Sequence, residues 1–238
     1  MVIKNVFESL DDVGSFLGSL IHRVANDAIA RNNIFTLGVS GGSIVNFLSK
    51  QLQNNPNIEW SKWKVFFCDE RLTDFGNPES TYGQYKAQLI EKENCSDSWI
   101  TIDTSLSVEA CAADYENKMR KVFASNWPEF DLLLLGMGPD GHTCSLFPGN
   151  QVLEESALWI APISNSPKPP PQRITMTLPV LNNARNVAFI CTGENKADMV
   201  KEVFTSGKVL KNLPPAALVK PNLGTLHWIM DAGAASKL

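Results

Sequence analysis

The sequence predicts a single α/β domain over residues 1–238, in which a mostly parallel, doubly wound sheet is covered by helices on both faces. Short apolar runs alternate with stretches that carry apolar residues every three or four positions, as strands and amphipathic helices do. Residues 132–135 are all leucine, and a strand that is apolar on both pleat faces is typical of a sheet sandwiched between two helical layers. No internal repeat or low-complexity linker divides the chain.

Eight candidate strands and four candidate helices follow one another along the chain. The strands are rich in β-branched, aromatic or leucine residues, and the helices have one apolar stripe. The predicted strands are residues 34–39, 64–68, 99–102, 131–135, 158–163, 174–178, 187–191 and 227–230. The predicted helices are residues 8–30, 43–53, 107–123 and 195–204.

Charge and composition exclude several classes of function. Twenty-one Lys and Arg residues against 25 Asp and Glu give a net charge of −4, without the basic block that nucleic-acid binding requires. No apolar run approaches the roughly 18 residues that cross a bilayer, and residues 1–14 lack the features of a signal peptide. The 5 cysteines are widely spaced and form no metal-ligand pattern. We therefore expect a soluble, cytoplasmic protein with no nucleic-acid partner, no membrane partner and no metal site.

A glycine-rich loop, residues 38–43, joins the first predicted strand to a helix. Free backbone N–H groups and the helix dipole favour an anion there, with Gly41 and Gly42 allowing close approach and Ser40 and Ser43 adding hydroxyl donors. A phosphate site is predicted, and a plain turn with Ser43 as helix cap is the simpler alternative. The loop also fits a nucleophile elbow with Ser40 as nucleophile, but such an elbow normally follows several strands.

A histidine-containing loop, residues 136–148, follows the leucine strand. Ligands of doubly wound sheets bind beyond the carboxyl ends of the strands, so this loop and the glycine loop should face one crevice. Asp140 and His142 are two residues apart, and in an extended backbone the carboxylate can hold one imidazole nitrogen while the other faces the substrate. Since histidine has an ordinary pKa near about 6.5, we predict His142 as the general base. A helix-capping role for His142 and a thiol nucleophile at Cys144 are the alternatives.

Charged residues at other strand ends are candidates for the rest of the site. Asp69 and Arg71 directly follow an apolar strand, and the planar guanidinium of Arg71 suits a carboxylate or phosphate, a surface ion pair being the alternative. We interpret the proline-rich residues 166–172 as a stiff connection into the next strand rather than as a ligand for a partner domain. Arg173, after this connection, and Lys196, in a later strand-to-helix turn, are the expected phosphate cations.

Six segments, taken in this order, closely resemble the 6-phosphogluconolactonase family. The histidine motif, Gly-Met-Gly-Pro-Asp-Gly-His-Thr-Cys-Ser-Leu-Phe-Pro, is highly specific, whereas the glycine loop and the lysine turn are shared with the related glucosamine-6-phosphate deaminases. The resemblance spans roughly residues 34–231 and implies a Rossmann-like fold common to both families. The segments are residues 38–43, 68–71, 79–83, 136–148, 169–175 and 192–197.

The resemblance implies hydrolysis of 6-phospho-D-glucono-1,5-lactone to 6-phospho-D-gluconate in the oxidative pentose phosphate pathway, without a metal or organic cofactor. In that family the histidine matching His142 is taken as the base that activates water, with the aspartate matching Asp140 as its partner. The glycine loop, with Arg173 and Lys196, is similar to the phosphate site of the fold, and residues 69 and 71 match positions lining the sugar site. The expected partner is a small sugar-phosphate lactone, and the expected state is a monomer or weak homo-oligomer.

Two other functions remain as alternatives at this point. An aldose–ketose isomerase or deaminase acting on an amino-sugar phosphate would use Asp69 to move a proton at C2, and the histidine motif argues against it. A non-catalytic sugar-phosphate sensor would need the glycine loop but not the Asp140–His142 pair. Ligand binding without turnover would indicate the sensor.

Overall fold

A six-stranded parallel sheet runs through the computed structural model, which describes residues 1–124, 127–205 and 213–238. The described strands are β1 (Val2–Phe7), β2 (Phe35–Val39), β3 (Trp63–Phe67), β4 (Asp69–Arg71), β5 (Leu132–Gly136), β6 (Ile160–Ile163), β7 (Arg173–Met176), β8 (Asn186–Cys191) and β9 (Thr225–Asp231). The parallel sheet has the order β1-β9-β8-β5-β2-β3, and a small antiparallel sheet has the order β4-β7-β6.

Helices cover both faces of the parallel sheet. They are α1 (Leu10–Asn32), α2 (Ser43–Leu52), α3 (Thr81–Tyr85), α4 (Glu91–Glu93), α5 (Val108–Arg120), α6 (Leu178–Asn182), α7 (Ala197–Thr205) and α8 (Pro215–Leu218), and a π-helical turn, Lys86–Ile90, joins α3 to α4. One hydrophobic core lies beneath α1 and α2, and a second lies beneath α5, α6 and α7. The doubly wound α/β class predicted from the sequence is therefore confirmed.

The leucine strand β5 lies in the interior of the sheet, between β8 and β2. Leu132 and Leu134 pack into the core beneath α1 and α2, whereas Leu133 and Leu135 pack into the core on the other face. Each side chain is fully buried, which is worth about 1.5–3 kcal/mol per leucine. Four leucines follow one another in β5 because successive side chains of the strand point alternately into the two cores.

The antiparallel sheet lies against the carboxyl edge of the parallel sheet. Cys68 connects the two sheets, since its N–H donates to Val39 at 2.8 Å and its carbonyl accepts from Met176 at 2.7 Å. The chain therefore continues from β3 into β4, where it pairs with β7 instead of another parallel strand. This change of sheet brings the charged residues of β4 to the ends of β2 and β5.

Most of the predicted elements are present within a few residues, but the strand predicted at residues 99–102 is wrong. Trp99 forms only an isolated bridge with Val65, and its ring packs on Tyr85 at 5.0 Å and Phe67 at 5.8 Å. The apolar character of this segment comes from that aromatic cluster rather than from a sheet. The sequence reading also missed β1, β4 and the helical stretch from α3 to α4. No helix in the described ranges combines the length and apolarity needed to span a membrane.

Candidate active site

A cleft of about 520 Å³ lies at the carboxyl ends of β2, β5 and β8, beside the antiparallel sheet. It brings together segments that are far apart in the sequence, which is what the predicted common crevice requires. Asp140 lies behind its histidine and does not line the cleft itself. The predicted site residues that do line it are Ser40, Gly41, Gly42, Ser43, Asp69, Arg71, His142, Arg173 and Lys196.

The Asp140 carboxylate and His142 Nδ1 form a short hydrogen bond. The backbone that carries them is folded into a tight turn, in which the Gly138 N–H donates to the His142 carbonyl at 2.8 Å and the Gly141 N–H donates to the Gly138 carbonyl at 3.0 Å. Gly141 has φ of +77°, a conformation that glycine adopts without strain. Because Nδ1 is engaged by Asp140, Nε2 is the nitrogen left for chemistry.

The surroundings of His142 favour its neutral form. Burial lowers the pKa of His142 below its ordinary value, and the charge of a nearby lysine lowers it further, whereas the hydrogen bond and charge of Asp140 raise it. The imidazole also stacks on Phe147, with ring centroids 4.7 Å apart and planes at 25°. For Asp140, burial works to raise the pKa, but His142 and a nearby lysine together lower it. At neutral pH the pair is an ionised carboxylate holding a neutral imidazole.

Lys168 is a residue of the site that sequence reasoning missed. Its Nζ lies 3.2 Å from His142 Nδ1 and 3.6 Å from Asp140 Oδ2. The lysine comes from the proline-rich connection, where it lies between Pro167 and three further prolines. A single cation in a stiff loop was the only signal available, and it does not show where the loop points.

Arg173 is almost entirely enclosed, with 3% of its surface exposed. Its Nε donates to the Pro170 carbonyl at 3.0 Å, and its Nη2 donates to the carbonyls of Lys168 at 3.0 Å and Pro169 at 2.9 Å. Nη1 faces the Ser145 hydroxyl at 3.5 Å. The guanidinium therefore holds the proline-rich connection in place, and Nη1 has the free N–H capacity toward the cleft.

Asp69 is buried at the start of β4. Its carboxylate accepts a hydrogen bond from the Ser145 hydroxyl at 2.8 Å, and Ser145 N–H in turn donates to the Thr175 hydroxyl at 3.2 Å. Thr175 is the register partner of Asp69 in the antiparallel sheet. Ser145 belongs to the histidine motif, so this contact connects the histidine loop to β4.

Arg71 and its neighbour Glu70 tie β4 to α3. Arg71 Nη1 donates to the Glu79 carbonyl at 2.6 Å and lies 3.3 Å from the Glu79 carboxylate. The fully buried Glu70 carboxylate accepts from the N–H groups of Thr81 at 2.8 Å and Tyr82 at 2.6 Å. Burial raises the pKa of Glu70 to about 7, while these N–H groups act in the opposite direction. Residues 79–83, one of the six segments that carry the family resemblance, include the Ser80 cap and the start of α3.

The glycine loop begins α2 without a side-chain cap. Gly42 is the capping residue, with φ of +73°, so the alternative in which Ser43 caps the helix is wrong. A Cβ at Gly41 would lie 3.0 Å from the Thr81 hydroxyl, which places α3 directly against the loop. Three buried polar atoms at this end of the cleft have no hydrogen-bond partner among the described residues: Ser40 Oγ, Thr81 Oγ1 and Arg71 Nε. Buried polar atoms normally have partners, so these atoms indicate a polar ligand.

Lys196 lies in the turn between β8 and α7. Gly193 begins this turn at φ of +93°, and its N–H is held by both carboxylate oxygens of Asp231, at 3.0 and 2.9 Å. Burial lowers the pKa of Lys196, with the thiol of Cys191 raising it and the charge of Lys168 lowering it. Within the part of the chain that the structure describes, Lys196 forms no ion pair, so its charge is available to a ligand.

The structure weakens both nucleophile alternatives. Cys144 is buried and hydrogen-bonded toward Cys68, and this contact and burial raise the pKa of the Cys144 thiol well above its ordinary value. A thiolate is therefore disfavoured. Ser40 has no histidine partner among the described residues, and its carbonyl is fixed by the Tyr85 hydroxyl at 3.0 Å. His22, outside the cleft, pairs with Asn55 at 2.8 Å.

Comparison with known proteins identifies relatives along nearly the whole chain. The family model described as glucosamine-6-phosphate isomerases/6-phosphogluconolactonase matches residues 8–228. A probable 6-phosphogluconolactonase of Drosophila melanogaster is 48% identical over 225 residues, covering 93% of this chain and 89% of the relative. The 6-phosphogluconolactonase of Homo sapiens is 46% identical over 242 residues, covering 98% of this chain and 93% of the relative.

Solved structures share the fold. The crystal structure of a devB protein superposes with a TM-score of 0.90 at 28% identity, covering 100% of both chains. The 6-phosphogluconolactonase of Trypanosoma cruzi superposes with a TM-score of 0.89 at 24% identity, covering 100% of this chain and 97% of that one. The second likeness supports the fold alone.

Proposed function

We propose that this chain, which belongs to the glucosamine-6-phosphate isomerase/6-phosphogluconolactonase family, hydrolyses 6-phospho-D-glucono-1,5-lactone to 6-phospho-D-gluconate in the oxidative pentose phosphate pathway. The observation that carries the proposal is the Asp140–His142 pair, placed beside the same cleft as a glycine loop whose buried Ser40 Oγ has no hydrogen-bond partner among the described residues. One end of the cleft thus offers a base and the other offers donors for an anion. A phosphorylated lactone needs both.

The proposed reaction is general-base attack of water at C1. Nε2 of His142 takes a proton from water as the water oxygen bonds to the carbonyl carbon, which gives a tetrahedral oxyanion and an imidazolium. Asp140 stabilises this imidazolium through Nδ1. The oxyanion then re-forms the carbonyl, the bond from C1 to the ring oxygen breaks, and the ring oxygen receives the proton from Nε2. The product is the open-chain acid, and His142 is neutral again.

The phosphate is proposed to bind at the glycine loop. Backbone N–H groups at the start of α2 donate to an anion at a helix terminus, and Ser40 and Ser43 add hydroxyl donors. Lys196 supplies a positive charge that no ion pair among the described residues neutralises, while Arg173 contributes its positive charge through Nη1. Holding the phosphate there would present C1 to His142. This positioning can supply much of the rate acceleration without a covalent intermediate.

Asp69 and Arg71 are proposed to contact the sugar between these two ends. The Asp69 carboxylate accepts from Ser145 and retains lone pairs for sugar hydroxyl groups. Arg71 Nε is buried beside the cleft and has no hydrogen-bond partner in the described part of the chain, so Arg71 is a candidate donor to the oxyanion.

The test is a continuous assay of lactone opening with freshly prepared substrate, corrected for spontaneous hydrolysis. The chain should accelerate opening, and His142→Ala should lower the catalysed rate by at least about 10²-fold, the lower range for loss of a general base. His22→Ala is the matched control, because His22 is paired with Asn55 away from the cleft. Absence of acceleration by the parent chain, or near-normal turnover by His142→Ala, contradicts the proposal.

The same protein preparation also tests the glucosamine-6-phosphate isomerase reaction, the other activity in the family's name. An amino-sugar phosphate isomerase would release ammonia from glucosamine 6-phosphate and would depend on Asp69 rather than on His142. We expect no ammonia release. Ammonia formation without lactone opening would replace the proposed activity by the deaminase one.

We also propose that the enzyme acts in the cytoplasm as a monomer or weak homo-oligomer. Cell fractionation tests the compartment. Sedimentation at several protein concentrations tests the oligomeric state, and a tight, concentration-independent oligomer would contradict that part of the proposal.

A further inference from the structure

We infer that Lys168 is a positioning residue that controls the protonation of His142 through their shared contact with Asp140. This inference rests on the proposed function, in which His142 must be neutral to accept a proton. Lys168 has no assigned part in the reaction, yet its ammonium group lies beside the base.

Asp140 is shared between two partners. One carboxylate oxygen, Oδ1, bonds to His142 Nδ1, and the other, Oδ2, lies 3.6 Å from Lys168 Nζ. Lys168 Nζ is also 3.2 Å from Nδ1 itself. Since the lysine can only donate, it cannot replace the carboxylate as the acceptor for an Nδ1 proton. It acts on the pair as a fixed positive charge.

The position of Lys168 is set by its backbone rather than by its side chain, which is 42% exposed. The buried Arg173 guanidinium gathers the carbonyls of Lys168, Pro169 and Pro170, and the Lys168 N–H donates to the Ser166 hydroxyl at 3.2 Å. Prolines lack an N–H, so this segment cannot hold itself through a regular backbone pattern. The arginine fork supplies the missing constraint and keeps the lysine beside Asp140.

The charges that face the imidazole come from four elements. Asp140, in the same loop, and Asp69, on β4, favour the imidazolium, while Lys168, on the proline-rich connection, opposes it. Lys196, in the turn before α7, interacts with both Lys168 and Asp140. Two carboxylates without Lys168 would favour protonation of a histidine that must start the reaction as a base. Lys168 therefore offsets the charge of Asp140 while leaving its hydrogen bond to orient the ring.

The first experiment follows the three histidines by NMR as the pH is varied, without substrate. Lys168→Met should move the titration midpoint of His142 upward, and Lys168→Arg should restore it. His22 and His227 should keep their midpoints in every variant, because they lie outside this cluster. Lys62→Met is the matched control, since Lys62 pairs with Glu59 at the opposite edge of the sheet. An unchanged or lower His142 midpoint in Lys168→Met overturns the inference.

The second experiment measures kcat/KM for lactone opening between pH 5.5 and 8. The Lys168 charge disfavours the imidazolium, although solvent reduces this effect because the lysine is half-exposed. Removing the charge should therefore leave more of His142 protonated at pH 5.5. We expect the fall in kcat/KM from pH 8 to pH 5.5 to be roughly three- to tenfold larger in Lys168→Met than in the parent. A rise in KM with an unchanged pH profile and an unchanged His142 midpoint would make Lys168 a substrate contact and overturn the inference. If the parent opens no lactone, the proposed function fails, whereas the NMR midpoint still tests the charge coupling.

Discussion

Replacing Gly138 by alanine should disable the Asp140–His142 pair while leaving both residues in the chain. A Cβ at position 138 would lie 2.5 Å from Asp140 Oδ1 and closer still to Nδ1 and Cε1 of His142. Ordinary van der Waals contact begins near 3.4 Å, so the side chains of Asp140 and His142 must move away from the new methyl group by about 1 Å or more. The backbone of Gly138 has no positive φ, so the effect isolates the collision.

The expected loss follows from that displacement. A misplacement of about 1 Å in a catalytic group can cost on the order of 10²-fold in rate, so Gly138→Ala should approach the activity of His142→Ala. Overpacking typically costs about 1–3 kcal/mol, and about 2–4 °C of Tm per kcal/mol is expected for a chain of this length. The variant should therefore remain folded at 25 °C while losing most of its catalysed rate.

The assay compares kcat/KM for lactone opening and Tm for the parent, Gly138→Ala and Gly14→Ala. Gly14 is the matched control because it is a buried glycine of α1 outside the cleft, and the nearest atom to a Cβ there would be Gln51 Nε2, at 3.1 Å, the end of a flexible side chain. Gly14→Ala should keep the parental kcat/KM and remain folded. Parental kcat/KM in Gly138→Ala would show that the Asp140–His142 contact is not needed for the reaction.

Three further outcomes follow from the site. Lys196→Ala should reduce kcat/KM for the phosphorylated lactone by roughly 10- to 10²-fold, because one charge-assisted contact is lost. The kcat/KM for the unphosphorylated lactone should stay nearly unchanged. An equal decrease for both substrates would mean that Lys196 acts at C1 or stabilises the fold. Burial lowers the pKa of His142, and the base must be unprotonated, so kcat/KM should stay constant from neutral pH down to about pH 6.5 and fall only below it. A fall in kcat/KM that begins above about pH 6.5 would contradict the assignment of His142 as the base. Ser40→Ala should raise KM with little change in kcat, and complete inactivation with intact phosphate inhibition would restore Ser40 as a nucleophile.

Local patterns in the sequence were sufficient for much of the fold and for the chemical ends of the site. The leucines of β5, apolar on both pleat faces, predicted a strand between two helical layers, and they do serve two cores. The loop rule for doubly wound sheets predicted that the histidine loop and the glycine loop would face one crevice, since parallel strands present their carboxyl ends at one edge. His142 and Ser40 do line one cleft, whereas Asp140 lies behind His142. The spacing of Asp140 and His142 predicted their contact, which the structure confirms. The extended backbone assumed for it is wrong, because a tight turn at Gly141 brings the two side chains together.

Contacts between distant segments were decided only by the tertiary structure. Nothing in the residues around Trp99 distinguishes a strand from an aromatic cluster, because both bury the same apolar side chains. Lys168 lies 26 positions from His142, and it lies beside the imidazole in the segment whose carbonyls the Arg173 guanidinium holds. Local spacing and periodicity determine which residues share a strand or a turn, whereas the approach of two loops depends on how the sheets stack. The chain therefore determined by itself which groups could react, and the packing of the antiparallel sheet on the parallel one decided which charges surround them.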